Sequence, residues 1–530
     1  MNSSILRKIR IVVSLLFFVT TSFLLIDIYE TIPVTYSNKI LFLQFVPSLL
    51  KSIALISVSA FGFIIILILT VFFGRVYCST ICPLGVFQDI ANWIALKLKP
   101  RKRRKFVFLK EQKILRLALL IIPVLAFLFG SSLAINLLDP YSIYGRFAGN
   151  FFRPALVLIN NIISSILVQF KIYLVYSYEL KAFHVFPFII TLLFFLFVIV
   201  MVWKWGRQYC NTVCPVGTLL GYISRYSFFK IVIKEEDCLS CGACAKECKA
   251  SCIDSSNKSI DASRCVACFD CLTSCPTDGI SYSYSYKKKD EPDSSLDESK
   301  RNFLSGTALY FLSLSTLAAQ AVKKIQVTKA STVAILRKNA ISPPGSISVE
   351  RFNSKCTACH LCVSACPTQV LQPSFLEYGF LGMMQPRMES ITGFCNFECT
   401  ICSQVCPTGA ILPIELEKKK LTQIGKAHFV KENCIVNTQK TDCGACSEHC
   451  PTKAVHMIPF EQNLVIPEVR DEFCIGCGAC EFACPTKPYK SIYVEGNSIH
   501  QIAKKNIEEK KVEVNKQKNV EKKVQEDFPF

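Results

Sequence analysis

Six runs of four cysteines constrain this chain more than any other feature, because each has the spacing that wraps a backbone around an iron–sulfur cubane. Two lie together: Cys238, Cys241, Cys244 and Cys248, then Cys265, Cys268, Cys271 and Cys275-Pro276. Four follow farther on: Cys356, Cys359, Cys362 and Cys366-Pro367; Cys395, Cys399, Cys402 and Cys406-Pro407; Cys434, Cys443, Cys446 and Cys450-Pro451; Cys474, Cys477, Cys480 and Cys484-Pro485. Three closely spaced thiolates cover one side of a cluster, and in a two-cluster chain the fourth cysteine of each run ligates the neighbour. Cys238, Cys241 and Cys244 are therefore expected to share a cluster with Cys275, and Cys265, Cys268 and Cys271 with Cys248. A zinc ribbon lacks the third cysteine, and a disulfide framework does not repeat this spacing. Six [4Fe-4S] clusters are the expected load, with these cysteines as the iron ligands.

The runs differ in detail. That at Cys395 opens with three intervening residues and that at Cys434 with eight, which disfavours plain duplication. Lys249 follows Cys248 where proline is usual, and Cys252 is left over. Cys356-Thr357-Ala358-Cys359-His360 also fits a c-type haem attachment site, but Cys362 and Cys366-Pro367 complete the cluster run and take precedence.

The first half of the chain is apolar. Runs over Ile11–Ile26, Ile53–Phe73, Ile114–Leu138 and Phe186–Trp203 are long enough for spans, with Arg7, Lys8 and Arg10 before the first. The net charge of +20 might suggest a nucleic-acid partner. Ten basic residues, however, lie between Lys97 and Arg116, between two hydrophobic runs, where they mark a cytoplasmic loop. A second concentration is the Lys/Glu-rich tail, which lacks an aromatic partner set and is a solvated end. No basic face is interleaved with aromatics, so nucleic acid is not an expected partner.

An internal repeat sets the topology. Gly74-Arg75-Val76-Tyr77-Cys78-Ser79-Thr80-Ile81-Cys82-Pro83-Leu84-Gly85 matches Gly206-Arg207-Gln208-Tyr209-Cys210-Asn211-Thr212-Val213-Cys214-Pro215-Val216-Gly217 at eight positions. Two copies serving one site face the same side, which requires an even number of crossings between them. The polar-interrupted stretch Arg153–Tyr178 is then an outer, interfacial segment, and four core spans remain. Cys78, Cys82, Cys210 and Cys214 can ligate a cluster or zinc, or act as dithiols, and their recurrence in one frame argues against idle core thiols. Arg75 and Arg207 are costly at membrane depth and so are candidates to bind a quinone carbonyl, with Asp89 as proton acceptor. No dinucleotide fingerprint or phosphate loop appears. Of the six histidines only His184 lies near a span, so no bis-histidine haem pair crosses the membrane.

Between the two sets of runs stands Ser299-Lys300-Arg301-Asn302-Phe303-Leu304 and an apolar segment, Ala308 to Val322. It resembles a twin-arginine export signal, with Lys300 in place of the first arginine. The expected architecture is a membrane α-helical bundle plus α+β bacterial-ferredoxin-like domains, one two-cluster and one four-cluster. Its parts are residues 1–230 in the membrane, 231–285 as the two-cluster domain on the cytoplasmic side, and 286–325 as linker and signal anchor. A linker over 326–350, a periplasmic four-cluster domain over 351–500 and a charged tail over 501–530 complete it.

On its two Cys-x3-Cys-Pro units, Asp89-Ile90-Ala91-Asn92-Trp93, Asp139-Pro140-Tyr141-Ser142-Ile143-Tyr144-Gly145-Arg146 and the paired cluster runs, residues 1–285 resemble the NapH-type membrane ferredoxin of periplasmic nitrate reductase systems. Residues 299 to about 495 resemble its partner, the NapG-type exported four-cluster ferredoxin. The resemblance implies a quinol dehydrogenase-type component of the cytoplasmic membrane, passing electrons to a periplasmic reductase or c-type cytochrome. It also implies that the first run pairs with the fourth and the second with the third, so that Cys484 joins Cys356, Cys359 and Cys362, and Cys366 joins Cys474, Cys477 and Cys480. Cys450 then joins Cys395, Cys399 and Cys402, and Cys406 joins Cys434, Cys443 and Cys446. A donor for metalloenzyme maturation and a redox sensor are the alternatives. Arg301→Ala is expected to strand residues 351–500 inside while residues 1–285 stay inserted, which protease accessibility in spheroplasts measures.

Overall fold

Helix ends in the membrane part are written plainly in the sequence. The computed structural model describes residues 3–29, 31–55, 61–100, 105–180, 184–234, 236–284 and 333–505. The signal-like stretch Ser299–Val322 and the tail beyond residue 505 lie outside them. Helix α1 (Ser3–Ile26) is followed by α2 (Val34–Leu41), α3 (Phe45–Ala54) and α4 (Gly62–Phe73). Gly74, at φ 74°, stops α4 in a conformation that costs a side chain about 1–2 kcal/mol. The short α5 (Val76–Thr80) then leads to α6 (Pro83–Leu98), which begins with proline where no backbone donor is lost. After α7 (Lys113–Leu128), α8 (Leu133–Leu138), α9 (Pro140–Phe147) and α10 (Arg153–Gln169), helix α11 (Val185–Trp205) repeats the pattern. It stops at Gly206, φ 67°, passes a π turn over Tyr209–Val213, and restarts at Pro215 as α12 (Pro215–Ser224).

Among the described residues, three helices are long and apolar enough to cross a membrane: Ser4–Ile26, Pro140–Gln169 and Val185–Trp205. Two of the four expected spans are therefore corrected. Ile53–Phe73 is not one helix, since α3 ends at Ala54 and α4 starts at Gly62. Ile114–Leu138 is broken at Gly130, φ 83°. There the Ser132 hydroxyl donates to the carbonyls of Asn353 and Cys356, so the second half of the chain inserts where hydropathy sees only an apolar run. Arg153–Tyr178 is not a separate interfacial segment either, because Arg153–Gln169 continues from α9 through a π turn at Ala148–Phe152. Its Asn160 and Asn161 bond the carbonyls of Tyr176 and Tyr178, which satisfies them within the chain.

Both groups of cysteine runs fold as small α+β bodies. In the first, β1 (Phe229–Ile233) pairs antiparallel with β4 (Ile280–Tyr284), Ile231 opposite Tyr282, and the β2–β3 hairpin (Ile253–Asp254, Ser259–Ile260) lies between them in sequence. In the second, β5 (Leu371–Pro373) pairs with β6 (Pro386–Met388) and β8 (Val455–Pro459) with β9 (Val465–Val469). A long pair of β7 (Thr422–Phe429) and β10 (Ile492–Ile502) closes it.

These bodies sit at opposite ends of the same helices. At one end of α1, Arg7 meets Asp270 of the first body at 2.9 Å; at the other, Leu24 and Leu361 of the second body line one cavity. At one end of α11, His184 meets Glu389 at 2.9 Å and Phe186 stacks on Phe375; at the other, the Arg207 N–H donates to Lys249. With 24 and 21 residues these helices are about 36 and 32 Å long, matching a hydrocarbon core of about 30 Å. Burial alone would raise the Glu389 carboxyl, but His184 and Arg387 outweigh it and hold it down to about 2. That contribution is present above the ordinary carboxylate range and is lost as pH falls toward 2.

Gly145 packs with no room to spare: a Cβ there lies 2.3 Å from the Cys359 carbonyl oxygen, whereas at Gly149 the nearest atom is 3.9 Å away. Gly145→Ala is expected to cost about 1–3 kcal/mol of docking. Gly149→Ala should leave the thermal midpoint of the detergent-solubilised protein near wild type.

Candidate iron–sulfur sites

The four regularly spaced runs share one backbone device. The residues flanking the second cysteine have positive φ in each: Ser240 and Gly242, Ala267 and Phe269, Ala358 and His360, Gly476 and Gly478. Such turns curl successive N–H groups into a cradle for an anionic group. The two stretched runs spend their extra residues on different loops, with Thr400 at φ −125° and Gly444 at φ −119°.

The thiols gather in sets that draw on two runs each. Cys271 faces Cys268, Cys265 and Cys248, and Cys244 faces Cys275 and Cys241, as the spacing predicts. Burial pushes the Cys244, Cys268 and Cys271 thiols up in pKa, Cys268 to about 12, while hydrogen bonds bring Cys248, Cys265 and Cys275 down, and an electropositive metal centre is the natural way to hold all of them as thiolates. Cys252 is not an idle thiol at a distance: its sulfur lies 3.5 Å from that of Cys248 and beside Cys265.

The second body corrects the expected pairing. Cys362 faces Cys359, Cys356 and Cys406, while Cys402 faces Cys395, Cys366 and Cys399, four cysteines that line one small cavity. Cys480 faces Cys477, Cys474 and Cys450, and Cys446 faces Cys443, Cys484 and Cys434. First thus pairs with second and third with fourth, and the Cys395 N–H bonding the Cys477 carbonyl joins the two halves. Adjacent runs pair because β7 and β10 enclose the third and fourth within one sheet. The haem reading at Cys356–His360 falls away as well. His360 is buried, donates its Nε2 proton to the Met384 carbonyl at 2.8 Å, and is pushed down to about 4.

A seventh group of cysteines gathers where the repeats meet. Cys78 sits in α5 and Cys210 in the π turn, while Cys82 and Cys214 cap α6 and α12; Cys214 faces Cys210, Cys78 and Cys82. The arginines exchange partners across the pair. Arg75 donates to the Cys210 carbonyl at 3.0 Å, and Arg207 to the Cys78 carbonyl at 2.5 Å. A Cβ on Gly85 would lie 2.2 Å from the Cys78 carbonyl oxygen, and one on Gly217 2.1 Å from that of Cys210, which explains the last identity of the repeat. The threonines Thr80 and Thr212 bond carbonyls four residues back, and Tyr77 and Tyr209 are buried beside Asp139. Arg75 and Arg207 are fully buried, and Asp89 is ringed by Arg207, Arg10 and Lys249 at 2.7, 2.9 and 3.0 Å. Asp89 is thus closed by ion pairs to Arg207, Arg10 and Lys249, whereas Arg75 bonds only carbonyl, amide and thiol groups. Arg75 lines a cavity of only about 20 Å³.

A family model described as a 4Fe-4S binding domain matches residues 57–105 and again 187–234, the segments holding Cys78, Cys82, Cys210 and Cys214. Models described as 4Fe-4S dicluster domains match residues 355–411 and 441–488, which groups the runs as the geometry does. The chain carries several ferredoxin-type 4Fe-4S domains and is similar to ferredoxin-type electron-transfer proteins. It is 27% identical over 176 residues to the methylamine utilization ferredoxin-type protein MauN of Paracoccus denitrificans, covering 33% of this chain and 48% of that one. It is 36% identical over 97 residues to the ferredoxin-type protein NapG of Escherichia coli, 18% of this chain and 41% of that one. An uncharacterized protein of Methanocaldococcus jannaschii is 26% identical over 229 residues, 43% and 79% of the two chains. No solved structure matches.

Within this ferredoxin-type protein, sequence reasoning missed Lys249 as a functional residue, although its place after Cys248 was the available signal. Buried, it bridges Asp89 and Asp270 at 3.0 Å each and so fastens the two-cluster body to the repeats. Gln88, which accepts from the Cys210 thiol at 3.5 Å, and Asn211, which accepts from Arg75 and donates to the Ala250 carbonyl, carried no such signal. The adjacent-run pairing predicts that residues 415–505 alone take up about eight irons on anaerobic reconstitution. First-with-fourth pairing would leave that fragment without one complete ligand set, and iron analysis separates the two.

Proposed function

We propose that this protein is the quinol dehydrogenase-type component of a cytoplasmic-membrane chain, passing electrons from quinol through its [4Fe-4S] clusters to a periplasmic acceptor. The acceptor is a c-type cytochrome or a reductase of the nitrate-reductase type, and the chain is a NapH-like half fused to a NapG-like half. The observation that carries this reading is the placement of the two cluster-bearing bodies at opposite ends of membrane-length helices α1 and α11. The basic segment Lys97–Arg116 assigns the two-cluster end to the cytoplasm by the positive-inside bias, and the four-cluster end to the periplasm.

Each ferredoxin run supplies thiolates that hold a cluster able to take and release one electron. The chain's own contribution is to bury those sites, compensate their charge and set their order. Within the four-cluster body the backbone bond from Cys395 to Cys477 places the second and fourth runs side by side, so the sites follow one another from the α9 face outward. Adding a short-chain quinol to the anaerobic protein in nanodiscs should bleach the iron–sulfur absorbance to a large fraction of the dithionite end point. Full reduction by dithionite with none by quinol would remove quinol as donor and favour a maturation or sensing role.

A further inference from the structure

A cavity of about 350 Å³ lies at the end of α1 that meets the four-cluster body, between α1 and α10. Ordinary small-molecule sites enclose about 300–1,000 Å³. Phe18, Phe23, Ile26 and Leu156 form its apolar walls, and Ser22, Asp27 and Thr31 bring oxygens to it. Among the described residues no basic side chain lines it, so an anionic ligand has no partner there. Val12, Leu16, Val19 and Phe23 are exposed and follow one another along α1 at steps of four, three and four residues. They form one apolar face leading from the cavity, on which an isoprenoid tail can lie.

The oxygens of this cavity are free to accept. The Tyr144 hydroxyl donates to Ser22 Oγ at 2.5 Å, and Ser22 gives its own proton to the Phe18 carbonyl at 2.6 Å, which leaves Ser22 Oγ one lone pair. Asp27 accepts the Tyr29 and Ile32 N–H groups at 3.2 and 3.0 Å and the Thr31 hydroxyl at 3.1 Å. A carboxylate offers roughly four acceptor positions, so one remains. Asp89 is closed by three cations, whereas Asp27 has no ion pair among the described residues. Two open acceptors in an apolar pocket suit a neutral ligand that carries two hydroxyl donors.

Both acceptors adjoin the first ligand set of the four-cluster body. Asp27 stands also in the wall of a second cavity, of about 130 Å³, whose other side includes Leu361, next to Cys362, and Val405, next to Cys406. Tyr144 precedes Gly145, where a Cβ would lie 2.3 Å from the Cys359 carbonyl oxygen. Cys359, Cys362 and Cys406 face one another with Cys356. Resting on the quinol reading above, we propose that the cavity between α1 and α10 is where quinol is oxidised, its two hydroxyls on Ser22 and Asp27. In each oxidation both O–H bonds of the quinol break and both carbon–oxygen bonds become carbonyls. Two electrons leave in turn by way of the Cys356, Cys359, Cys362 and Cys406 site and reduce two oxidised c-type haems of the acceptor. One proton goes to the Asp27 carboxylate and the other to water at the exposed Thr31 end of the cavity.

The test uses the full, cluster-loaded chain in nanodiscs and an azido-substituted benzoquinone with a short isoprenoid tail. On photolysis the label should fall on residues 18–31, and unlabelled quinone should compete for it. Leu156→Trp, which fills the cavity, should lose both the label and the bleaching of iron–sulfur absorbance by quinol. It should keep the wild-type iron content and full bleaching by dithionite. Asp27→Asn should keep the label but slow the quinol-driven bleaching roughly 100-fold, the scale of a lost proton acceptor. A label elsewhere in a wild type that quinol reduces, or wild-type quinol rates in both variants, overturns this site and leaves the quinol reading intact. A wild type that dithionite reduces and quinol does not overturns that reading and the site with it.

Discussion

Two buried arginines that reach across to each other's repeat hold this molecule together. Arg75 and Arg207 each satisfy the carbonyl of the opposite first cysteine, and each also grips the backbone of the two-cluster body. Burying such charges is expensive, and leaving one unpaired after deleting its partner costs roughly 3–5 kcal/mol. The pairing therefore fixes register: neither repeat can slide, and the two-cluster body cannot dock elsewhere, without stranding a guanidinium. Asp89 locks the same junction by drawing the start of α1 and Lys249 onto Arg207.

The opposite junction works by close approach, with the His184–Glu389 ion pair beside it. Gly145 lets the Cys359 backbone press against α9, Ser132 and Asn136 cap carbonyls of the second body, and Tyr141 fills the space toward its first site. Charge is concentrated at the basic end and small residues with neutral donors at the other.

The irregular runs follow from the same geometry. The extra residues after Cys395 and Cys434 replace the paired left-handed residues of the regular runs. The regular loops face the tight contacts: the run at Cys265 touches the repeats, and that at Cys356 touches α9.

Much of the chemistry was legible in one dimension. Cysteine spacing marked the candidate ligands of the ferredoxin-type runs, because three thiolates within seven residues, as in the four regular runs, wrap one centre whatever surrounds them. The repeat likewise announced Cys78, Cys82, Cys210 and Cys214 as one group, since identical frames imply symmetry. Spacing cannot say which fourth cysteine completes which site, because that depends on how β7 meets β10 and how the runs fold beside each other. Hydropathy could not see that Ile114–Leu138 breaks at Gly130, since the residues beyond are equally apolar and only the second body supplies the reason. Nor could it tell a guanidinium waiting for a ligand from one already closed on Asp89. Residue type fixed the charge of Arg207, but its partner lies 118 positions away, and only tertiary packing brings the two within 2.7 Å.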